Sequence, residues 1–264
     1  MIYSYYKILN FVRKKKLLDI LYKFFKFLLN LRYRWDYRNM IKKKSISERF
    51  TQIYDKNLWR SYETRSGEGS EIHYTRKLRS WLIKKILTLK IKNFVDAPCG
   101  DFNWMKEVLF TLNKNKLFKY KFNYFGFDIV EKIINKNNLL YKNKNINFKV
   151  ANICQYTLPN CDILMVRDCL FHLSYEDINK FLKNIRNVNY KYLLTTTHID
   201  TIENNFKNSD IISGDARFIN LFAKPFNFNN QDVIDRVKDC PNDLKTPKEM
   251  ILIKKKNVPT SINF

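Results

Sequence analysis

The sequence predicts a doubly wound α/β sheet of seven strands, the last antiparallel, with an N-terminal helical extension ahead of it. Three observations carry this. Beyond residue 44, short apolar runs alternate with amphipathic stretches, the pattern of successive βα units. One run, Asp162 to Asp168, is apolar almost throughout, as a parallel strand buried on both faces must be. Polar residues also recur where one predicted strand after another ends. At 264 residues, 45% hydrophobic and 16% aromatic, the chain has enough apolar material for such a core, which excludes wholesale disorder.

The extension comes first. Residues 1–44 hold 13 Lys/Arg and two acids, so +11 of the formal +24 sits in one sixth of the chain. From Leu17 to Leu31 the polar residues are Asp19, Lys23, Lys26 and Asn30. Their spacing of 4, 3 and 4 places them on one helical stripe, with Leu, Ile, Phe and Tyr around the rest. Arg13 to Lys16 precede the stretch; Arg32, Arg34 and Arg38 follow it. Such a helix needs a cover, either an anionic membrane interface or a docking face on the domain or a second subunit.

Ser45 to Asn57 reads as a short helix capped by Ser45 or Ser47. Arg65 to Ser70 contains two of the five glycines and reads as a flexible lid or a plain turn. Ser70 caps a predicted helix to about Leu89, with Tyr74, Leu78, Trp81, Leu82, Ile86 and Leu89 as its apolar stripe. The first strand, from Asn93, ends in the turn Asp96 to Asp101, and Phe102 to Leu112 follows as a helix. Later strands are predicted at Tyr124 to Val130, Ile146 to Ile153, Asp162 to Asp168 and Lys191 to His198, with a capped helix at Ser174 to Val188. Ile219 to Phe226 and Glu249 to Lys256 complete the set as a closing pair.

The strand ends carry Asp96/Gly100/Asp101, Asp128, Asn152, Arg167/Asp168 and His198. In open α/β sheets that edge is where ligands bind. The first turn narrows the ligand. A dinucleotide loop needs three glycines against a pyrophosphate; this turn has only Gly100, flanked by Asp96 and Asp101, and acids repel pyrophosphate. They suit a cation, while Asp128 suits ribose hydroxyls. An adenosine with a positively charged amino-acid tail fits both, and S-adenosyl-L-methionine is such a molecule.

Val95 to Met105 (VDAPCGDFNWM) resembles the first motif of class I S-adenosylmethionine-dependent methyltransferases. Tyr124 to Ile129 (YFGFDI) is similar to their second, and Arg167 to Ser174 (RDCLFHLS) to their fourth. Asn208 to Ile211, Gly214, Asn220-Leu221 and Pro225-Phe226 resemble a small bacterial-type subgroup. The resemblance covers roughly residues 57–255. It implies a Rossmann-like methyltransferase sheet over 45–264, S-adenosyl-L-methionine as cofactor, and a cofactor-binding set of Asp96, Gly100, Asp101, Asp128, Asn152 and Arg167. Asn152 stands where many relatives carry an acid. Asp101 is equally suited to cap the next helix. Trp104 reads as a core anchor and Cys99 as a packing residue.

Methyl transfer to a hydroxyl benefits from a base, and Asp168 and His172 are the leading catalytic candidates, with His198 third. Arg167 and Arg217 suit an anionic acceptor, or one half of an ion pair. No metal is expected: the five cysteines show no CxxC and the chain has three histidines. A small-molecule or glycan O-methyltransferase is the leading expectation. An RNA methyltransferase, favoured by the positive charge, and a non-catalytic membrane-associated methyltransferase-like protein are the alternatives. Without a secretory signal or a run of roughly 20 apolar residues, the expected location is cytoplasmic, with peripheral contact at the inner face of a membrane as a variant.

Overall fold

The computed structural model describes residues 44–115, 120–199, 206–241 and 247–262, and positions 21–25, 27, 28, 31, 37, 39 and 42 of the N-terminal segment. The basic clusters at Arg13 to Lys16 and at Arg32, Arg34 and Arg38 lie outside the described residues. The chain divides into two compact units, Met1–Lys44 and Ser45–Phe264. In the first, the described positions from 21 to 31 are helical.

The second unit opens with α1 (Ile46–Asp55). Ser45 caps it in a reciprocal capping box: Ser45 Oγ accepts from the Glu48 amide, and the Glu48 carboxylate accepts from the Ser45 amide at 2.8 Å. A single 3-10 turn (Glu68–Ser70) leads to α2 (Arg76–Thr88). Then follow β1 (Asn93–Asp96), α3 (Met105–Lys114), β2 (Asn123–Asp128), α4 (Glu131–Tyr141), β3 (Ile146–Val150), β4 (Cys161–Val166), α5 (Tyr175–Arg186), β5 (Tyr190–His198), β6 (Val233–Lys238) and β7 (Lys248–Lys254).

Among the described residues these strands form one seven-stranded sheet in the order β3-β2-β1-β4-β5-β7-β6. The first five are parallel; β7 runs antiparallel to both β5 and β6. Period-2 alternation sends neighbouring side chains to opposite faces, and both faces are covered. On β4, Ile163 and Met165 join the core against α2 and α3, while Leu164 and Val166 join the core against α5. All four are fully buried, each contributing on the order of 1.5–3 kcal/mol. The chain reverses its direction of winding between β1 and β4, which opens a crevice at the carboxyl ends of those strands.

Two predicted elements differ. Ile219 to Phe226 is not a strand; it is an irregular segment whose Ile219 and Leu221 are buried. The Leu221 amide donates to Thr197 Oγ1 at 3.1 Å, and its carbonyl accepts from Phe228 N at 2.9 Å, so the backbone is satisfied without a continuous ladder. The sixth strand is Val233–Lys238, an edge strand with a register shift at Val233/Asp235. Ser70 does not cap a helix either: α2 begins at Arg76, after a run of turns.

Candidate functional site

A cavity of about 390 Å³ opens at the carboxyl edge of the sheet. Asp96, Gly100, Asp128, Asn152, Arg167, Asp168, His172 and His198 all reach its wall. Asp101 does not.

Asp96 and Asp128 end adjacent strands and are both buried. The Tyr124 hydroxyl donates to Asp96 Oδ2 at 2.6 Å. Burial nevertheless dominates and pushes the Asp96 carboxyl up to about 7, against the Tyr124 hydrogen bond and the Arg167 charge. Asp128 accepts the Val130 amide at 2.9 Å and the Gly100 amide at 3.1 Å. Burial again outweighs these bonds and raises it to about 6. Gly100 is required by geometry: its φ is +54°, and a Cβ there would lie 2.4 Å from Ser66 Oγ. Asn152 Oδ1 accepts the Cys154 amide at 3.0 Å, fixing the side chain at the wall. Ile129, Val130, Ile133, Ala151 and Ile153 supply an apolar surface beside it.

Asp101, predicted to contact cofactor, serves a different purpose. Its carboxylate accepts from Thr64 Oγ1, the Arg65 amide at 2.9 Å and Ser66 Oγ at 3.0 Å. Nor does it cap α3, whose N-cap is Trp104. Residues 64–66 are thereby pinned to the first turn. The far end of the same segment is held by Arg167, whose Nη2 donates to the Gly69 carbonyl at 2.6 Å, and by Asn103, which donates to the Ser70 carbonyl. The glycine-containing loop is therefore a strap fastened at both ends, with Ser66 to Ser70 along the cavity.

A buried ionic network backs the cavity. Arg167 makes a bidentate pair with Asp239, Nε to Oδ2 at 2.8 Å and Nη2 to Oδ1 at 3.0 Å, with its guanidinium over the Trp104 ring. Its nitrogens are thus directed at Asp239, at the strap and, through Nη1 3.4 Å from Oδ2, at Asp168. Lys248 Nζ pairs with Asp168 Oδ2 and lies 3.7 Å from Asp239 Oδ2. Burial opposes the Asp168 charge, but Arg167 and Lys248 overcome it and hold the carboxyl well below the usual carboxylate range. So firmly ionised a carboxylate is a weak proton acceptor, which favours His172 over Asp168 for the role of base. Sequence reasoning missed Lys248 and Asp239.

His172 differs. One ring nitrogen, Nδ1, lies 2.9 Å from the Asp215 carbonyl oxygen. A carbonyl only accepts, so Nδ1 carries the proton and Nε2 keeps its lone pair. Burial lowers the imidazole below its ordinary value, keeping it neutral near pH 7. Its ring packs against Trp59 and Phe171, both on the cavity wall. His198 has the other tautomer, because Nδ1 accepts the Ile219 amide at 3.2 Å; burial and Lys248 lower it to about 4. Cys99 is buried, which raises its thiol and suits packing over nucleophilic chemistry. Arg217 does not reach the cavity: it lies over the Tyr175 ring with Nη1 3.9 Å from Asp210.

No family model matches the sequence, and no curated protein matches it significantly. Solved structures do resemble it. A SAM-dependent methyltransferase from Leishmania major superposes with a TM-score of 0.51 at 15% identity, over 81% of this chain and 88% of that one. Magnesium protoporphyrin IX methyltransferase from Synechocystis, with bound SAH, gives 0.48 at 10% identity over 78% and 93%. Human N-acetylserotonin methyltransferase in complex with SAM gives 0.47 at 11% over 79% and 59%. The first of these likenesses, with the observed strand order, establishes a Rossmann-like methyltransferase fold.

Proposed function

We propose that this chain is an S-adenosyl-L-methionine-dependent methyltransferase that methylates an oxygen of a small-molecule or glycan-type acceptor. The observation that carries the reading is the pair of buried carboxylates, Asp96 and Asp128, at adjacent strand ends on one cavity wall. Leaving two acids in a desolvated wall is costly unless a ligand answers them. The donor set fits the proposed cofactor: acids for an ammonium and ribose hydroxyls, a close backbone approach at Gly100, and an apolar surface beside Asn152 for a purine.

Bound there, the cofactor would supply an electrophilic methyl on a sulfonium. The chain's own contribution is placement and proton transfer. Trp59, Tyr74, Trp104 and Phe171 give an aromatic lining that excludes water and orients an acceptor. With its lone pair on Nε2, His172 would take the proton of the acceptor hydroxyl as that oxygen receives the methyl, the cofactor being left as a neutral thioether. Arg167, Asp168, Asp239 and Lys248 hold the strap and wall rigid around this.

The test is transfer of a labelled methyl group from S-adenosylmethionine to panels of hydroxylated small molecules, glycans and RNA. Label in a hydroxylated small molecule or glycan, lost in His172→Ala, supports the reading. Label appearing in RNA alone, or in no acceptor from the native host's extract, contradicts it.

A further inference from the structure

We propose that the N-terminal segment docks on an anionic lipid surface, with an apolar helical face entering the interface. Leu21, Phe24, Phe25, Phe27, Leu28 and Leu31 are all exposed, by 41% to 58%. At 100° per residue these six fall within an arc of roughly 160°. In the sequence the polar residues of this stretch, Asp19, Lys23, Lys26 and Asn30, are spaced 4, 3 and 4 apart, the spacing of a single helical stripe outside that arc. The described positions therefore present one apolar face with three phenylalanines on it.

The charge decides what covers that face. The segment carries +11 within 44 residues, with basic clusters on both sides of the apolar stretch. A second copy would bring an equal positive charge against it, which repels. A bilayer with anionic headgroups answers both features at once, accepting the rings at the acyl boundary and the lysines and arginines among phosphates. No described helix is long and apolar enough to cross a membrane, so the segment would lie in the interface plane. The proposal is independent of the methyl-transfer reading.

The experiment is co-sedimentation of the full chain with phosphatidylcholine vesicles, with and without phosphatidylserine, at low and high salt. Binding to the phosphatidylserine vesicles alone is expected, weakened by salt. The variant Phe24→Asp/Phe27→Asp should lose it by more than about ten-fold, because two rings that would enter the acyl boundary become two charges of the wrong sign. Both side chains are exposed, so an unchanged melting temperature for the variant is expected and serves as its control. No binding to phosphatidylserine vesicles overturns the proposal. So does full binding by the variant, which would mean charge alone suffices. A lipid-free dimer abolished by the same variant would assign the face to a second copy and also overturn it.

Discussion

The Lys248 ammonium rests on the Asp168 carboxylate, 80 residues away in the chain, within the wall of the cavity. The contact exists because β7 enters the sheet antiparallel to β5, setting Lys248 beside His198 at the ligand-binding edge. Removing Lys248 leaves two carboxylates, Asp168 and Asp239, to share the single positive charge of Arg167 in a buried site. Lys248→Met is therefore expected to lower unfolding stability by about 3 kcal/mol in urea titration. The pair also has a pH signature. Asp168 titrates below its unfolded value, so its contribution is complete above about pH 4 and lost as the pH falls through the depressed value. Wild type and variant should thus converge in stability in strong acid. A variant as stable as wild type at neutral pH would remove the network from the account.

His172 should set the acid limb of the rate. Its Nδ1–H is committed to Asp215, so Nε2 is the basic atom, and burial lowers its affinity for a proton. The rate is expected to fall only below the ordinary imidazole range and to stay flat through pH 7 and 8. His172→Gln should lose roughly 10²- to 10⁴-fold in kcat, with cofactor affinity unchanged. A variant that keeps its rate would show that placement alone drives the chemistry.

Asp96 should make cation binding depend on pH. Burial favours the neutral acid, with a midpoint of about 7, whereas an adjacent ammonium favours the carboxylate. Binding therefore releases a proton, and affinity is expected to rise with pH up to about 7 and level off above it. Titration calorimetry in two buffers of different ionisation enthalpy reads the proton directly. Asp96→Asn should bind more weakly and without that pH step; a step of the same size in the variant would assign it to another group.

The strap should loosen when Asp101 is removed. Its carboxylate holds Thr64, Arg65 and Ser66 together, beyond the reach of the cavity itself. In Asp101→Ala, faster amide exchange is expected over residues 64–70, with weaker cofactor binding and no change at α5. Unchanged exchange in the strap would show that Arg167 and Asn103 suffice to hold it.

The sheet was legible because burial on both faces writes itself into sequence as unbroken apolar runs; Ile163 to Val166 could be little else. The acids at the strand ends were legible too, since a charge closing an apolar run is conspicuous. What stayed hidden depends on contacts distant in sequence. Lys248 and Asp239 are ordinary charged residues locally, and only the β6–β7 hairpin brings them to Arg167 and Asp168. In sequence Asp101 resembles a cofactor contact because its hydrogen-bond partners lie in a loop 35 to 37 residues earlier. The β6 strand was missed because its half-buried face includes Asp235, neutralised there by Lys85 of α2. Ile219 to Phe226 was mistaken for a strand because buried apolar residues imitate one when side chains satisfy the backbone.

The Asp96/Asp128 wall is expected to receive an adenosine bearing a cationic amino-acid tail. Calorimetric titration of S-adenosylhomocysteine, whose tail keeps the ammonium, into wild type and Asp128→Asn tests it most directly. Saturable one-to-one binding is expected for wild type, weakened by about ten-fold or more in the variant, with both proteins melting cooperatively. A folded wild-type protein that gives no binding, or a variant that binds equally well, would contradict the assignment.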